Sequence, residues 1–204
     1  MHTQRSSRAL VRHLILGLLL SSAGCYIHSE TPLSDPDKAA PNEKLLGKWR
    51  IQSKNDTLTL TVRKAPPGYP AGVMMLSFTD DNPGNYTLFF CSEVNGKTYV
   101  NLCGGWARKP AELPPWDKAR KGPFGIVKFA MEDDDTAIVW NHNEMLLQKL
   151  VMDGKLKGSV QESGSNLYRW TNAVLQETSA DLTKFIARED KQLFPTQATF
   201  KRVK

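Results

Sequence analysis

From residue 45 onward the chain runs in short alternating segments. Thr57-Leu58-Thr59-Leu60-Thr61-Val62-Arg63 is the clearest of them, with one apolar and one polar face at the period of two that a half-buried strand requires. Further segments of strand character cover 48–53, 73–79, 86–94, 97–103, 124–132 and 136–141. Residues that favour reversal separate them: Asn55-Asp56, Asp80-Asp81-Asn82-Pro83-Gly84, Asn95-Gly96 and Asp133-Asp134-Asp135. Many short strands joined by tight turns predict an antiparallel meander, and closing such a sheet into a barrel removes its exposed edges.

Two helices interrupt the pattern. Residues 144–152 carry Met145, Leu146, Leu147, Leu150 and Val151 at helical spacing and end at Asp153-Gly154, a glycine stop. Thr178 with Asp181 three positions on has the form of a capping box, after which Leu182, Phe185 and Ile186 place an apolar stripe on a helix that ends near Asp190. Strands at 173–177 and 198–203 flank it, the last positioned to close the sheet. The expected fold is mainly β (β-rich α+β), a meander closing into a barrel with a helix before the last strand, and 43–204 form one globular domain.

The chain ahead of that domain is different. Residues 25–42 are polar, carry Pro32, Pro36 and Pro41 and show neither period, which predicts a flexible tether. Fully extended it reaches about 50 Å. Residues 1–24 combine Arg5, Arg8 and Arg12, no acidic residue, an apolar run over 14–20 and a small-residue ending, the pattern of a signal peptide. The run falls well short of the roughly 20 apolar residues that span a bilayer.

The ending Ser21-Ser22-Ala23-Gly24-Cys25 resembles the lipobox of bacterial lipoproteins, with Ser22 where that family usually carries an aliphatic residue. The resemblance implies a diacylglycerol on the Cys25 thiol, cleavage just before it and acylation of the new amino terminus, for example by palmitate. The other reading is an ordinary signal peptide cut near the same place. Acylation would hold the protein stably, since two lipid signals already suffice. Tyr26, in place of the Asp that retains sorted lipoproteins, implies an exported protein on the periplasmic side of the outer membrane where a cell has two membranes.

Charge adds little. The chain has 27 basic and 21 acidic residues and a net charge of +6, and without the three leader arginines the excess is 3. That field is too weak and too dispersed for a nucleic-acid footprint. Of the remaining cysteines, a type I′ turn at Asn95-Gly96 pairs Val94 with Lys97 and therefore Cys91 with Val100. Cys103 then faces Leu88, about 10 Å along the ladder from Cys91. A disulfide requires a bulge or a bend at Gly104-Gly105; two buried thiols are the other reading.

Gly47-Lys48-Trp49 at the first strand resembles the Gly-x-Trp opening of lipocalin-like barrels. The resemblance implies that Trp49 plugs one barrel end and that a basic residue of the closing strand, here Arg202, packs over its ring. The wider layout, from Leu46-Gly47-Lys48-Trp49 through Gly125-Ile126-Val127-Lys128-Phe129 to Thr178-Ser179-Ala180-Asp181-Leu182, looks like a group of bacterial exported lipoproteins and implies no reaction.

Signatures of chemistry are scarce. Beyond the leader only His28 and His142 remain, too few for a histidine zinc site; His142 reads as a cap or surface group. Acyl-transfer, phosphate-loop and dinucleotide motifs are absent, and Asp80 to Asn85 fails the calcium-loop register. No enzyme and no cofactor are expected. The irregular segment 104–122 interleaves Trp106 and Trp116 with Arg108 and Arg120, which suits stacking on an envelope component near the barrel mouth. The alternative is that its tryptophans fold back on the barrel. Two functions follow: a barrel that binds a small apolar ligand or envelope component, or a filled barrel whose surface contacts another, unidentified envelope protein.

Overall fold

A computed structural model describes residues 26–52, 57–78, 85–165 and 168–203. Cys25, the leader expected over 1–24 and the turns expected at 55–56 and 80–84 lie outside the described residues. Eight strands close into an antiparallel barrel: β2 (Gly47–Gln52), β3 (Thr57–Lys64), β4 (Met74–Phe78), β5 (Tyr86–Val94), β6 (Lys97–Ala107), β7 (Phe124–Asp133), β8 (Thr136–Asn141) and β11 (Thr196–Arg202). β11 pairs with both β8 and β2, and β6 with both β5 and β7, so the ring has no free edge.

The β5–β6 hairpin shows how local chemistry sets register. Asn95 (φ 50°) and Gly96 (φ 71°) take the left-handed conformation that a type I′ turn needs, and Val94 pairs with Lys97. Two steps further Cys91 faces Val100, and Cys103 faces Leu88. Both thiols are free.

Three further strands branch from β7. Its Phe124–Ile126 edge pairs with β1 (Ile27–Ser29), which lies parallel to β10 (Tyr168–Leu175), and β10 pairs with β9 (Gly158–Ser165). Two helices cover one side of this branch, α2 (Glu144–Met152) and α3 (Ser179–Leu193); a short helix α1 (Trp116–Ala119) lies between β6 and β7. Asn143 Oδ1 accepts from Leu146 N at the start of α2, and Gly154 (φ 68°) ends it. Thr178 Oγ1 accepts from Asp181 N at the start of α3. Leu182, Phe185, Ile186 and Leu193 turn inward with Leu147, Ile27, Tyr99 and Ile126 to form one outer core.

The expectation of a tether over 25–42 is corrected for residues 26–42, which are built into the body. Ile27 and Ser29 have no exposed surface and Leu33 has 5 %. Leu33 N donates to Asn101 Oδ1 (3.0 Å), Thr31 Oγ1 to the Glu177 carbonyl (2.6 Å) and Glu30 N to the Leu175 carbonyl (2.9 Å). Gly72 approaches Ala39 so closely that a Cβ would stand 1.9 Å from its carbonyl oxygen. The physical reason is that the outer wall of β6 and β7 is itself apolar and must be covered. Burying Ile27 and Leu33 supplies about 1.5–3 kcal/mol each, and β1 gains ladder bonds on both sides.

Candidate functional site

Cross-strand partners share a face, so the register identifies the barrel interior. Trp49 faces Leu60 and Arg202, Met74 faces Phe89, Phe89 faces Leu102, Phe129 faces Val139 and Ala137 faces Phe200. These residues and their i±2 neighbours form one apolar cluster drawn from all eight barrel strands, which only the concave face allows.

The interior is graded. A waist of Trp49, Val62, Met74, Phe89, Phe129, Ala137 and Phe200 is filled, no member being more than 9 % exposed. On both sides of it the inward residues are only half-buried: Ile51, Leu60, Leu76, Leu102, Val139 and Ala198 toward the ends of β2, β4 and β8, and Cys91, Val100 and Met131 toward the opposite end. At the rim Phe78 and Trp106 lie with ring centroids 5.3 Å apart, and Trp106 is 42 % exposed. A closed apolar waist thus separates two half-buried tiers of inward side chains. It was legible only as the apolar half of each alternation.

The other end is shut by a fixed arrangement. Arg202 Cζ lies 4.3 Å from the Trp49 ring centroid, and Trp49 Nε1 donates to the Leu45 carbonyl at 2.7 Å. The guanidinium donates to the carbonyls of Leu46, Lys44 and Asp134 at 2.6, 2.7 and 2.9 Å. Gly47 (φ 126°) leaves the space: a Cβ there would meet Arg202 Nη1 at 2.8 Å.

The residues expected as surface contacts do not converge. Residues 108–122 fold down over the outer wall of the barrel and not over its mouth. Leu113, Ala119 and Trp116 pack on Val73, Met75, Leu88, Phe90 and Cys103. Trp116 Nε1 donates to Asp37 Oδ1 (2.7 Å), Arg120 pairs with Asp37 Oδ2, and the Trp116 ring meets Tyr69 edge-on. Arg108 is exposed, and its backbone N–H is held by Glu112. Only Trp106 stands at the rim.

Two polar centres were missed. On the buried stripe of α3, Asp190 accepts from Tyr99 OH (2.7 Å), Lys97 Nζ (2.6 Å) and Lys128 Nζ (2.7 Å), and Lys128 also lies 4.8 Å from the Trp140 ring centroid. Burial pushes the Asp190 carboxyl upward, but the bonds from Lys128, Lys97 and Tyr99 outweigh it and hold it below its ordinary range. Burial, with Asp190 alongside, pushes the Tyr99 phenol up. An acid within an otherwise apolar helical stripe was the available signal.

The second centre joins α2 to the branch. His142, whose side chain is 1 % exposed, bonds Glu144 Oε2 through Nε2 at 2.7 Å, so it is a buried partner and not a surface group. Glu144 Oε1 accepts from Ala173 N (2.5 Å), and Gln148 Nε2 donates to the Thr171 carbonyl (2.8 Å). Two helix side chains thereby satisfy the β10 edge beyond the start of β1. His142 Nδ1 and Asn172 Oδ1 are buried without a protein partner. Burial lowers the His28 imidazole, with His142 adding to the effect and Glu144 opposing it.

By geometry this is a closed eight-stranded antiparallel barrel with a helix before its last strand, an apolar interior and Trp49 covered by Arg202 at one end. No family model, curated protein or solved structure matches the chain.

Proposed function

We propose that the protein is a lipid-anchored, non-enzymatic envelope protein whose barrel takes a small apolar ligand into its apolar interior. The observation that carries this reading is the tier of half-buried aliphatic residues above a filled waist, since apolar concavity with few polar groups suits an acyl or other hydrocarbon ligand. The plugged end with Gly47, Trp49 and Arg202 supports the lipocalin-type comparison. Trp106 at the rim is the ligand contact that remains from the expected set. The leader pattern before Cys25 supports anchoring.

The test is competition for the lumen. A fluorescent polyene fatty acid added to the purified protein should gain emission and be displaced by a saturated acyl chain, and Ala198→Trp, which fills the tier, should abolish both signals. No uptake by the unmodified protein would refute the ligand reading. The filled waist favours the second reading, a barrel that serves another envelope protein through its outer surface, and that reading survives such a result.

A further inference from the structure

Helix α2 is finished on the inside and incomplete on the outside. Leu147 is fully buried, and Leu150 and Val151 pack against the same core. Met145 and Met152, by contrast, are 79 % and 77 % exposed, with exposed Lys149 between them. At 3.6 residues per turn these three positions fall within about 60° of one another, a single outward stripe about 10 Å long. Among the described residues, Trp106, at 42 %, is the one other exposed large apolar side chain. Exposed Lys155 and Lys157 follow the helix closely, and Asp153, which pairs with Lys155 at 3.7 Å, is the acidic neighbour.

The first described strand lies beside the same helix. Glu144, the first residue of α2, bonds Ala173 N; the next residue of β10, Val174, is the partner of His28 in β1. Glu144 and His142 also act electrostatically on His28. Tyr26, two residues from His28, packs its ring over Gly125. Ile27 is fixed in the sheet, and two residues of chain reach at most about 7 Å.

We propose that the Met145, Lys149 and Met152 face of α2 rests on the bilayer, with the methionines at the boundary of headgroups and acyl chains and the lysines on anionic phosphates. The inference rests on the lipid-anchor reading. The acyl chains hold the protein at the surface, and the α2 face fixes which side turns toward it. Charge complementarity and position favour this occupant: Lys149 lies within the stripe, exposed Lys155 and Lys157 follow it, and β1, the strand just after Cys25 in sequence, pairs with the β10 strand to which the start of the helix is bonded. A face of two methionines is too small to bind a membrane alone, so it orients a protein that the anchor retains.

The test uses the full acylated protein in vesicles of phosphatidylethanolamine and phosphatidylglycerol with brominated acyl chains. A single Met145→Cys or Met152→Cys probe, and a control Lys64→Cys at the plugged end, are labelled with an environment-sensitive fluorophore. Burial holds the Cys91 and Cys103 thiols up at about 12, which spares them from labelling at neutral pH. The probes at 145 and 152 should lose emission to the brominated lipid while the probe at 64 keeps it. Intact mass is measured on the same samples. Acylated protein whose 145 and 152 probes are not quenched would overturn the inference and leave the anchor standing; a mass without acyl chains on Cys25 would overturn the anchor and the inference with it.

Discussion

Arg202 lies directly opposite Trp49 in the β11–β2 ladder and covers its ring at 4.3 Å, while three of its nitrogens hold backbone carbonyls of two different loops. One side chain thus ties the last strand, the entry to the first barrel strand and the β7–β8 turn together. Arg202→Ala would remove the ring contact and unpair the Leu46 and Lys44 carbonyls, and it is expected to cost about 2–4 kcal/mol. Arg202→Lys should recover little, because an ammonium cannot reproduce the fork. Urea unfolding followed by tryptophan emission measures both, and an unshifted midpoint in Arg202→Ala would contradict the role.

Asp190 makes stability depend on pH in a stated direction. Its folded carboxyl lies below the unfolded value of about 4, so its contribution is fully present above that value and is lost as pH falls through the folded one. Glu144 acts in the same sense: burial opposes ionisation, but bonds from His142, Ala173 and Gln148 prevail. Acid should therefore lower the melting temperature below about pH 4. Asp190→Asn should flatten that dependence and cost about 3 kcal/mol near neutrality, because the mostly buried Lys128 loses its counter-charge. An identical acid profile in the variant would sink the assignment.

The two domain cysteines should remain thiols in an oxidising compartment. Burial pushes both up to about 12, and their cross-strand partners are Val100 and Leu88. Thiol reagents at pH 8 should label neither in the folded protein and both after unfolding. Detection of a Cys91–Cys103 bridge in the folded protein under oxidising conditions would contradict this.

Segment 108–122 and Trp106 should separate in their effects. Asp37→Ala removes the shared acceptor of Trp116 and Arg120, a half-exposed pair worth less than about 1 kcal/mol, and should speed proteolysis within 108–122 without altering ligand uptake. Trp106→Ala should weaken uptake with little change in stability. The reverse pattern would return the segment to the mouth.

Cys25→Ser should abolish acyl incorporation and release the protein from the membrane fraction. Unchanged partitioning would refute the anchor.

Much of the barrel was legible because its signals are local. Alternation marked β3, Asn95-Gly96 fixed the β5–β6 register, and Thr178 with Asp181 placed the start of α3. β1 was not legible: three residues among prolines carry no period, and their stability comes from pairing with β7 and β10 on both sides. β9, Gly-Ser-Val-Gln-Glu-Ser-Gly-Ser, has one branched residue, Val160, and no aromatic, too little to mark a strand. The cover over the outer wall did leave a trace. Leu88-Phe89-Phe90-Cys91 is a continuous apolar run, and such a run means burial on both faces. The outer wall therefore required a lid of some kind, and 108–122 with 26–42 supply it.

The place of β1 in the sheet also has a mechanical consequence. If the chain is held at its first residues, any pull from the membrane runs along a strand whose hydrogen bonds to β7 and β10 lie across the load, so they resist in shear and not one by one. Those partners lie some hundred residues and more further along the chain. A nascent molecule held at its amino end thus cannot lock that strand until its last third has arrived, which makes completion of the body the step that turns attachment into a load-bearing joint.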